Sequence, residues 1–401
     1  MNILLINHYA GSPKMGMEFR PYYMSKSVAK LNHKMYVLGA DQSHLRKLQP
    51  KVGYETFDDV EYLWLASKSY DGNGLGRVIN IFSFLRQAVK QANSILEWSK
   101  PDVIVASSTY PLDNYLAHYL AKKCGARVVY EVHDLWPLSP MEIGNISKWH
   151  PFMMLLQCAE NYGYRNADKV ISMLPNTLEH MKSHGLDESK YHYVPNGIYL
   201  EGSDCERVTL PNEHRTLLKD LQTQEKLIVG YAGGHAKSNA LHKLIAAAKR
   251  LPNLNFVLVG NGSEKQTLIA MAKDLDNVHF LPSIDKSSVP LFLEQCNILT
   301  LVWNDSPLYR FGVSPNKVFD YMLAKKPIVQ ALDTTYEPVS KANAGLTVAS
   351  DDTTTLVEAF NAMVEMPEEN RALLGLNGYK YVVDNHCYSK LAKEFIEACE
   401  K

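Results

Sequence analysis

Two stretches of this chain begin in the same way, and that repetition limits the folds available to it. Residues 2–7 form a short apolar run followed by His8, Tyr9, Ala10 and Gly11, a loop through Gly16, and a helix over about 18–31. Residues 227–232 form a second such run, followed by Gly233, Gly234 and His235 and a helix carrying Leu241, Leu244, Ile245 and Ala248. Tyr-Ala-Gly stands at both turns. A buried strand that passes through a glycine turn into a helix opens a nucleotide-type α/β unit, because small residues let backbone N–H groups approach a ligand at the strand's carboxyl end. Further apolar runs at 35–40, 60–66, 102–107, 127–132, 168–173 and 191–194 follow the first opening. Runs at 255–260, 278–281, 298–302, 328–331 and 346–349 follow the second. Helical segments separate most of them, among them 78–98. The expectation is an α/β protein with two Rossmann-like, doubly wound domains.

With 401 residues, 46% hydrophobic and 21% charged, the chain is long enough for two cores. The polar run from Glu201 to Gln224 contains Pro211 and lacks a clear apolar period, so the linker is placed at 204–224. The domains then cover 1–203 and 225–380, with a last segment, 381–401, whose helix puts Leu391, Phe395 and Ile396 on one face. A net charge of −1 gives no global attraction to nucleic acid, and no nucleic-acid partner is expected. The six cysteines show neither C-x-x-C pairing nor metal-ligand spacing, which points to a reducing compartment. No basic leader precedes the first strand and no run of about eighteen apolar residues occurs, so the expected location is cytoplasmic.

The most informative segment is residues 310–330, RFGVSPNKVFDYMLAKKPIVQ. Ser314 suits an N-cap and Pro315 the first helical position, with Asn316 and Lys317 in the first turn. Val318, Phe319, Met322 and Leu323 mark a buried face, and Pro327 ends the helix before a strand. Unpaired N–H groups and the positive end of the helix dipole favour an anion here, with Lys317 adding a full charge. Asp320, three residues on, can accept hydrogen bonds from vicinal hydroxyls such as those of a ribose. The plainer reading is a capped helix with a Lys317–Asp320 surface ion pair.

Other residues carry weaker signals. His133 ends the strand 127–132, at the rim where doubly wound sheets bind ligands. The 143–166 segment, with Trp149, Phe152, Met153, Met154, Leu155 and Leu156, reads first as a core helix and second as a lipid-facing one. Lys26, Lys30, Lys34, Arg46, Lys47 and Lys51 could supply a basic face beside it. The only D-x-D, Asp274-Leu275-Asp276, lacks surrounding hard ligands, and no metal is expected.

The 310–330 segment resembles the signature of glycosyltransferase family 4, retaining enzymes of GT-B architecture, in which two such domains face each other across a cleft. Two glutamates sit eight residues apart in that signature; Asp320 takes the second place, the ribose ligand, and Gly312 falls at the first. Ser-Pro-Asn-Lys before an acidic residue is similar to a subgroup that builds bacterial surface polysaccharides. His133-Asp134-Leu135-Trp136-Pro137 looks like that subgroup's donor-sugar histidine, and Pro195-Asn196-Gly197-Ile198 resembles the turn that closes the family's first domain. The family's second-lobe arginine and lysine fall at Gly234 and Asn239, so His235 and Lys237 are expected to help Lys317 and Arg310 neutralise a pyrophosphate.

The resemblance implies a donor site of Gly11, Gly233, Gly234, His235, Lys237, Arg310, Gly312, Val313, Ser314, Pro315 and Asn316. Gly260 and Asn261 would lie near the nucleobase, with His133, Lys317 and Asp320 in catalysis and Glu18, Arg20 and Asp134 on the acceptor side. It implies a terminal helix packed back on the first domain. It also implies transfer from a nucleotide sugar, UDP-linked and carrying an N-acetylated or deoxy amino sugar, to a saccharide or lipid-diphosphate-linked acceptor. Peripheral contact with the inner face of the plasma membrane would follow, through the first domain. No cofactor is needed, since a helix N-terminus with adjacent cations can stabilise a departing diphosphate by preorganised electrostatics. Two rivals share the frame: a UDP-N-acetylhexosamine 2-epimerase, which would need acid/base side chains, and a non-catalytic subunit that binds a nucleotide or a partner.

Overall fold

The computed structural model describes residues 1–16, 19–72, 74–200, 209–334 and 336–400. The chain divides into two compact units, Met1–Tyr199 with Tyr388–Lys401, and Leu200–Cys387. The first carries eight strands: β1 Asn2–Ile6, β2 Lys34–Ala40, β3 Gly53–Phe57, β4 Val60–Leu65, β5 Val103–Ala106, β6 Arg127–Val132, β7 Lys169–Ser172 and β8 Tyr191–Tyr193. The second carries six: β9 Leu227–Ala232, β10 Leu254–Val259, β11 Val278–Leu281, β12 Ile298–Val302, β13 Ile328–Ala331 and β14 Gly345–Val348.

Their orders are β3-β4-β2-β1-β5-β6-β7-β8 and β11-β10-β9-β12-β13-β14. Every pairing except β3 with β4 is parallel. Parallel strands need crossovers, and crossover helices cover both faces; β1, β5, β10 and β12 are accordingly predominantly apolar and buried almost throughout. In each unit the opening strand lies inside the sheet, β1 between β2 and β5 and β9 between β10 and β12. The strand order reverses beside it, so a crevice opens at its carboxyl end, where His8–Gly11 and Gly233–His235 emerge.

The terminal helix Tyr388–Glu400 belongs to the first unit, where Leu391, Ala392, Phe395 and Ile396 join a core with Val28, Val37, Val105 and Ile171. It packs on the helix Arg20–Ala29, and Tyr388 N donates to Ile198 O at 2.8 Å.

Several expected boundaries are corrected. β3 is an edge strand that sequence reading missed, since its half-buried GYETF carries one apolar face only; Asp58 and Asp59, both at positive φ, make its two-residue hairpin turn to β4. The 78–98 helix is two helices, Leu75–Lys90 and Ala92–Ser99. The 143–166 helix starts only at Pro151, capped by the His150 side chain, after a separate turn of helix at Leu138–Glu142. The expected linker contains a helix, Asn212–Gln222, whose period is carried by His214, Leu218 and Leu221, too sparse to read from the sequence. The last helix lies at Tyr388–Glu400 as expected, but the segment boundary at 381 moves, since Glu368–His386 stays with the second unit and the chain passes to the first between Cys387 and Tyr388.

Phe395 is fully buried. Phe395→Ala should cost about 3–5 kcal/mol, read as a lower thermal or denaturant midpoint; an unchanged midpoint would show that the terminal helix does not help hold the first unit together.

Candidate functional site

The second unit gathers the larger group of candidates at the carboxyl ends of β9 and β10. Gly233 N donates to Val259 O at 2.9 Å and His235 N to Asn261 O at 2.8 Å, which laces the two loops together. That lacing leaves no room for a side chain at Gly260: its φ is +152°, and a Cβ there would sit 1.8 Å from Gly233 O. Lys265 Nζ ties the second loop to the sheet by donating to Gly260 O at 2.8 Å and Leu281 O at 2.9 Å.

Lys317 reaches into this turn from the helix Asn316–Leu323. Its Nζ donates to the Tyr231 hydroxyl at 3.0 Å and Asn239 Oδ1 at 2.9 Å, and lies 5.1 Å from the centre of the Tyr231 ring. A Cβ on Gly233 would fall 2.5 Å from Lys317 Cε, so the glycine gives the ammonium its place. Burial pushes the Lys317 pKa down to about 8. The carbonyl of Gly234 accepts from Tyr231 at 2.8 Å and Asn239 Nδ2 at 2.9 Å, which fixes both of the lysine's neutral partners. Four residues on, Tyr321 binds the helix to β9, its hydroxyl accepting from Ala232 N at 2.7 Å.

Three expectations change here. Ser314 is not the cap: the helix starts at Asn316 and Pro315 holds the cap position with extended ψ, because a proline that early lets the chain turn one residue later. Lys317 and Asp320 are not paired with each other; Asp320 bonds Lys286 Nζ, from the turn after β11, while Lys317 is drawn inward. His235 adds no positive charge, because burial first, and then Lys265 and Lys317, push its pKa down to about 4. Its ring nitrogens are buried without hydrogen-bond partners among the described residues.

The remaining donor-side candidates flank this group. Lys237 is exposed in a short turn whose carbonyl accepts from Asn304 Nδ2 at 2.6 Å. Arg310 lies over the Phe311 ring and bonds the Pro307 carbonyl. Gly312 N donates to Tyr309 O at 2.9 Å and Val313 N to Tyr336 O at 3.3 Å, which shapes the approach to Ser314, Pro315 and Asn316. Asn261 is exposed, with its side chain bonded to Gly262 N at 3.0 Å.

In the first unit His133 stands at the end of β6 over a buried polar chain. Ser107 Oγ donates to Glu131 Oε2 at 2.6 Å and lies 2.9 Å from His133 Nε2, which is 3.2 Å from the same carboxylate oxygen. With the hydroxyl proton directed at Glu131, Nε2–H of His133 donates to this pair. Glu131 is 2% exposed and held well below the usual carboxylate range despite its burial, chiefly by the Arg20 charge opposing that desolvation.

Arg20 is therefore no acceptor ligand. Its guanidinium is buried on Glu131 at 2.8 Å and on the carbonyls of Val194 and Pro195, tying β6 to the turn after β8. Asp134 is exposed beside His133, Glu18 lies outside the described residues, and Gly11 is buried with its carbonyl accepting from Tyr62 at 3.1 Å. Beside this rim Asp113 is buried and its pKa rises to about 7, the cause being desolvation. A polar recess of about 480 Å³ opens past β2 and β4, lined by Ser43, His44, Arg46, Gln49, Tyr70 and others, and contains no sequence-named site residue. Arg46 also leaves the expected basic face, for it is buried on the carbonyls of Ala10 and Ala40. Lys34 is paired with Glu61 at 2.8 Å.

Sequence reading missed Tyr231, Asn239 and Lys286 as partners of the key charges, and Glu131 and Ser107 beneath His133. Glu131 did carry a signal, as an acid inside an otherwise apolar strand, RVVYEV, which must find a cation or lose its charge.

Two predominantly parallel sheets, each with a glycine turn at the carboxyl end of its opening strand, define a doubly wound α/β protein of two domains. Residues 16–197 match the family model of a glycosyl transferase 4-like domain, and residues 226–366 match that of glycosyl transferases group 1. The chain belongs to the GT-B glycosyltransferases with 4-like domains. No curated protein matches it in sequence. Among solved structures it is similar to HepE from Anabaena in complex with UDP and glucose, at 16% identity and a TM-score of 0.67, covering 99% of this chain and 98% of that one. Sucrose-phosphate synthase from Thermosynechococcus elongatus gives 15%, 0.73, and 99% and 98%. WaaG, a glycosyltransferase involved in lipopolysaccharide biosynthesis, gives 14%, 0.68, and 99% of each chain.

Gly260→Ala should destabilise the second unit by on the order of 2 kcal/mol or more, because its methyl group collides with backbone. Calorimetry that showed an unaltered transition would mean that the two loops part freely.

Proposed function

We propose that this chain is a retaining transferase that takes a sugar from a nucleotide diphosphate donor without a metal ion. The observation that carries the reading is Lys317, an ammonium held by neutral partners beside the glycine turn and at the start of a helix. Val318 N donates back to Pro315 O at 3.2 Å, while the N–H groups of Asn316 and Lys317 precede any intrahelical partner, and the helix dipole favours the same anion. As the bond between the anomeric carbon and the diphosphate oxygen breaks, its electron pair goes to the phosphate. Lys317 and the helix start stabilise that charge, and the departing phosphate oxygen takes the proton of the acceptor hydroxyl. Asp320 exchanges Lys286 for the ribose hydroxyls.

The complex of HepE with UDP and glucose supports a UDP-linked donor. The Ser314 to Asp320 pattern supports an N-acetylated or deoxy amino sugar, and the likeness to WaaG supports a lipid-linked saccharide acceptor in surface polysaccharide synthesis. Ile143, Trp149 and Met154 are exposed, with Lys148 over the Trp149 ring, which suits peripheral contact with a bilayer at the cytoplasmic face. No helix among the described residues is long and apolar enough to cross one.

Calorimetric titration with UDP and GDP in chelator tests the donor site. Loss of one charge-assisted contact is worth about 1.5–3 kcal/mol, so Lys317→Met should weaken UDP binding roughly 10- to 100-fold. Affinity of the unaltered protein should fall as pH rises past about 8, where the free lysine gives up its proton, and Lys317→Met should lose that dependence. Nucleotide binding that ignores both the substitution and the pH would overturn the assignment. Release of UDP only when a saccharide acceptor is added would separate transfer from epimerisation.

A further inference from the structure

Away from both strand-end rims, the first unit holds a cluster that glycosyl transfer does not use. Glu160, in the helix Pro151–Asn166, is 1% exposed. Its Oε1 accepts from the Tyr164 hydroxyl at 2.9 Å and its Oε2 from Gln157 Nε2 at 2.7 Å. His180 Nε2, on the helix Leu178–Ser183, is 3.7 Å from Oε1. His184, one turn on, has Nδ1 at 3.1 Å from both Gln157 Nε2 and Asn161 Oδ1, and the two imidazoles lie 4.6 Å apart between ring centres.

One ligand atom from each of Glu160, His180 and His184 falls within 4.8 Å of the others. A tetrahedral ion with bonds of about 2.0–2.1 Å needs its donors roughly 3.4 Å apart, so side-chain rotations of about an ångström would close the set. Two histidines at i and i+4 on one helix, facing a carboxylate from its neighbour, provide donors suited to the zinc class rather than to calcium or magnesium. The amides of Gln157 and Asn161 and the Tyr164 hydroxyl are the outer partners that such a site uses to orient its ligands.

We propose that Glu160, His180 and His184 bind one divalent transition-metal ion of the zinc class, as a structural clasp between the two helices. The clasp would also hold the strand end that precedes it. Ser172, the last residue of β7, shares a 2.7 Å hydrogen bond with Thr177, the residue before Leu178–Ser183, so fixing that helix fixes the path from the sheet.

The test uses the full chain, stripped with chelator and titrated without nucleotide, with Co²⁺ followed by visible absorption and Zn²⁺ by calorimetry and thermal melting. Expected are one equivalent bound, d–d bands of a low-coordinate Co²⁺ site, and a melting midpoint several degrees higher with Zn²⁺. His180→Gln and His184→Gln should each lose the bands and the shift while circular dichroism confirms their fold, and His242→Gln, in the other unit, should keep both. Absence of bands in the unaltered protein, or bands that persist in both histidine variants, would overturn the site and leave only a His180–Glu160 ion pair.

Discussion

Parallel pairing is the constraint from which the rest of this structure follows. A strand can run parallel to its neighbour only if the chain crosses back over one face, so helices cover both faces and all strands in the crossover series end at the same edge. Chemistry is thereby confined to the loops at the carboxyl ends, and most usefully beside the opening strand, where the order reverses. Both units obey this rule: His8–Gly11 and Gly233–His235 emerge there, with His133 one strand beyond β5 and Lys317 delivered by the helix that follows β12.

At those edges two cations are handled in opposite ways. Arg20 is fully committed: two contacts to Glu131 and two to backbone carbonyls satisfy it, so it supports the rim without serving a ligand. Removing one partner of such a pair strands the other charge, which explains why both belong to the fold. Among the described residues Lys317 has a phenol and an amide oxygen as hydrogen-bond partners, and burial lowers its pKa. Gly233 and Asn239 arrange Lys317, while burial keeps His235 neutral.

The architecture was largely legible. Buried parallel strands have continuous apolar runs, and β6, β9, β11, β12 and β13 fall on the residues expected of them. What escaped was weakly patterned: the half-buried edge strand β3, the sparse helix Asn212–Gln222, and the division of the 78–98 helix. Of the site, the glycine turns, the 314–320 element and His133 could be singled out as residue types at strand and helix ends. Their partners could not, since Lys317 meets Asn239 and Asp320 meets Lys286 across long separations in sequence. The metal cluster had a local trace, His180 and His184 four residues apart, but the acid that completes it is twenty residues earlier on another helix.

The sequence alone determined two nucleotide-type α/β units and the candidate residues at their strand ends, because apolar periodicity and turn chemistry are local properties. Tertiary structure decided which charges are already satisfied. Arg20 and Arg46 turned inward, His235 lost its proton and Lys317 came to rest on Tyr231 and Asn239, for desolvation and the pairing of charges depend on what lies within a few ångströms in space.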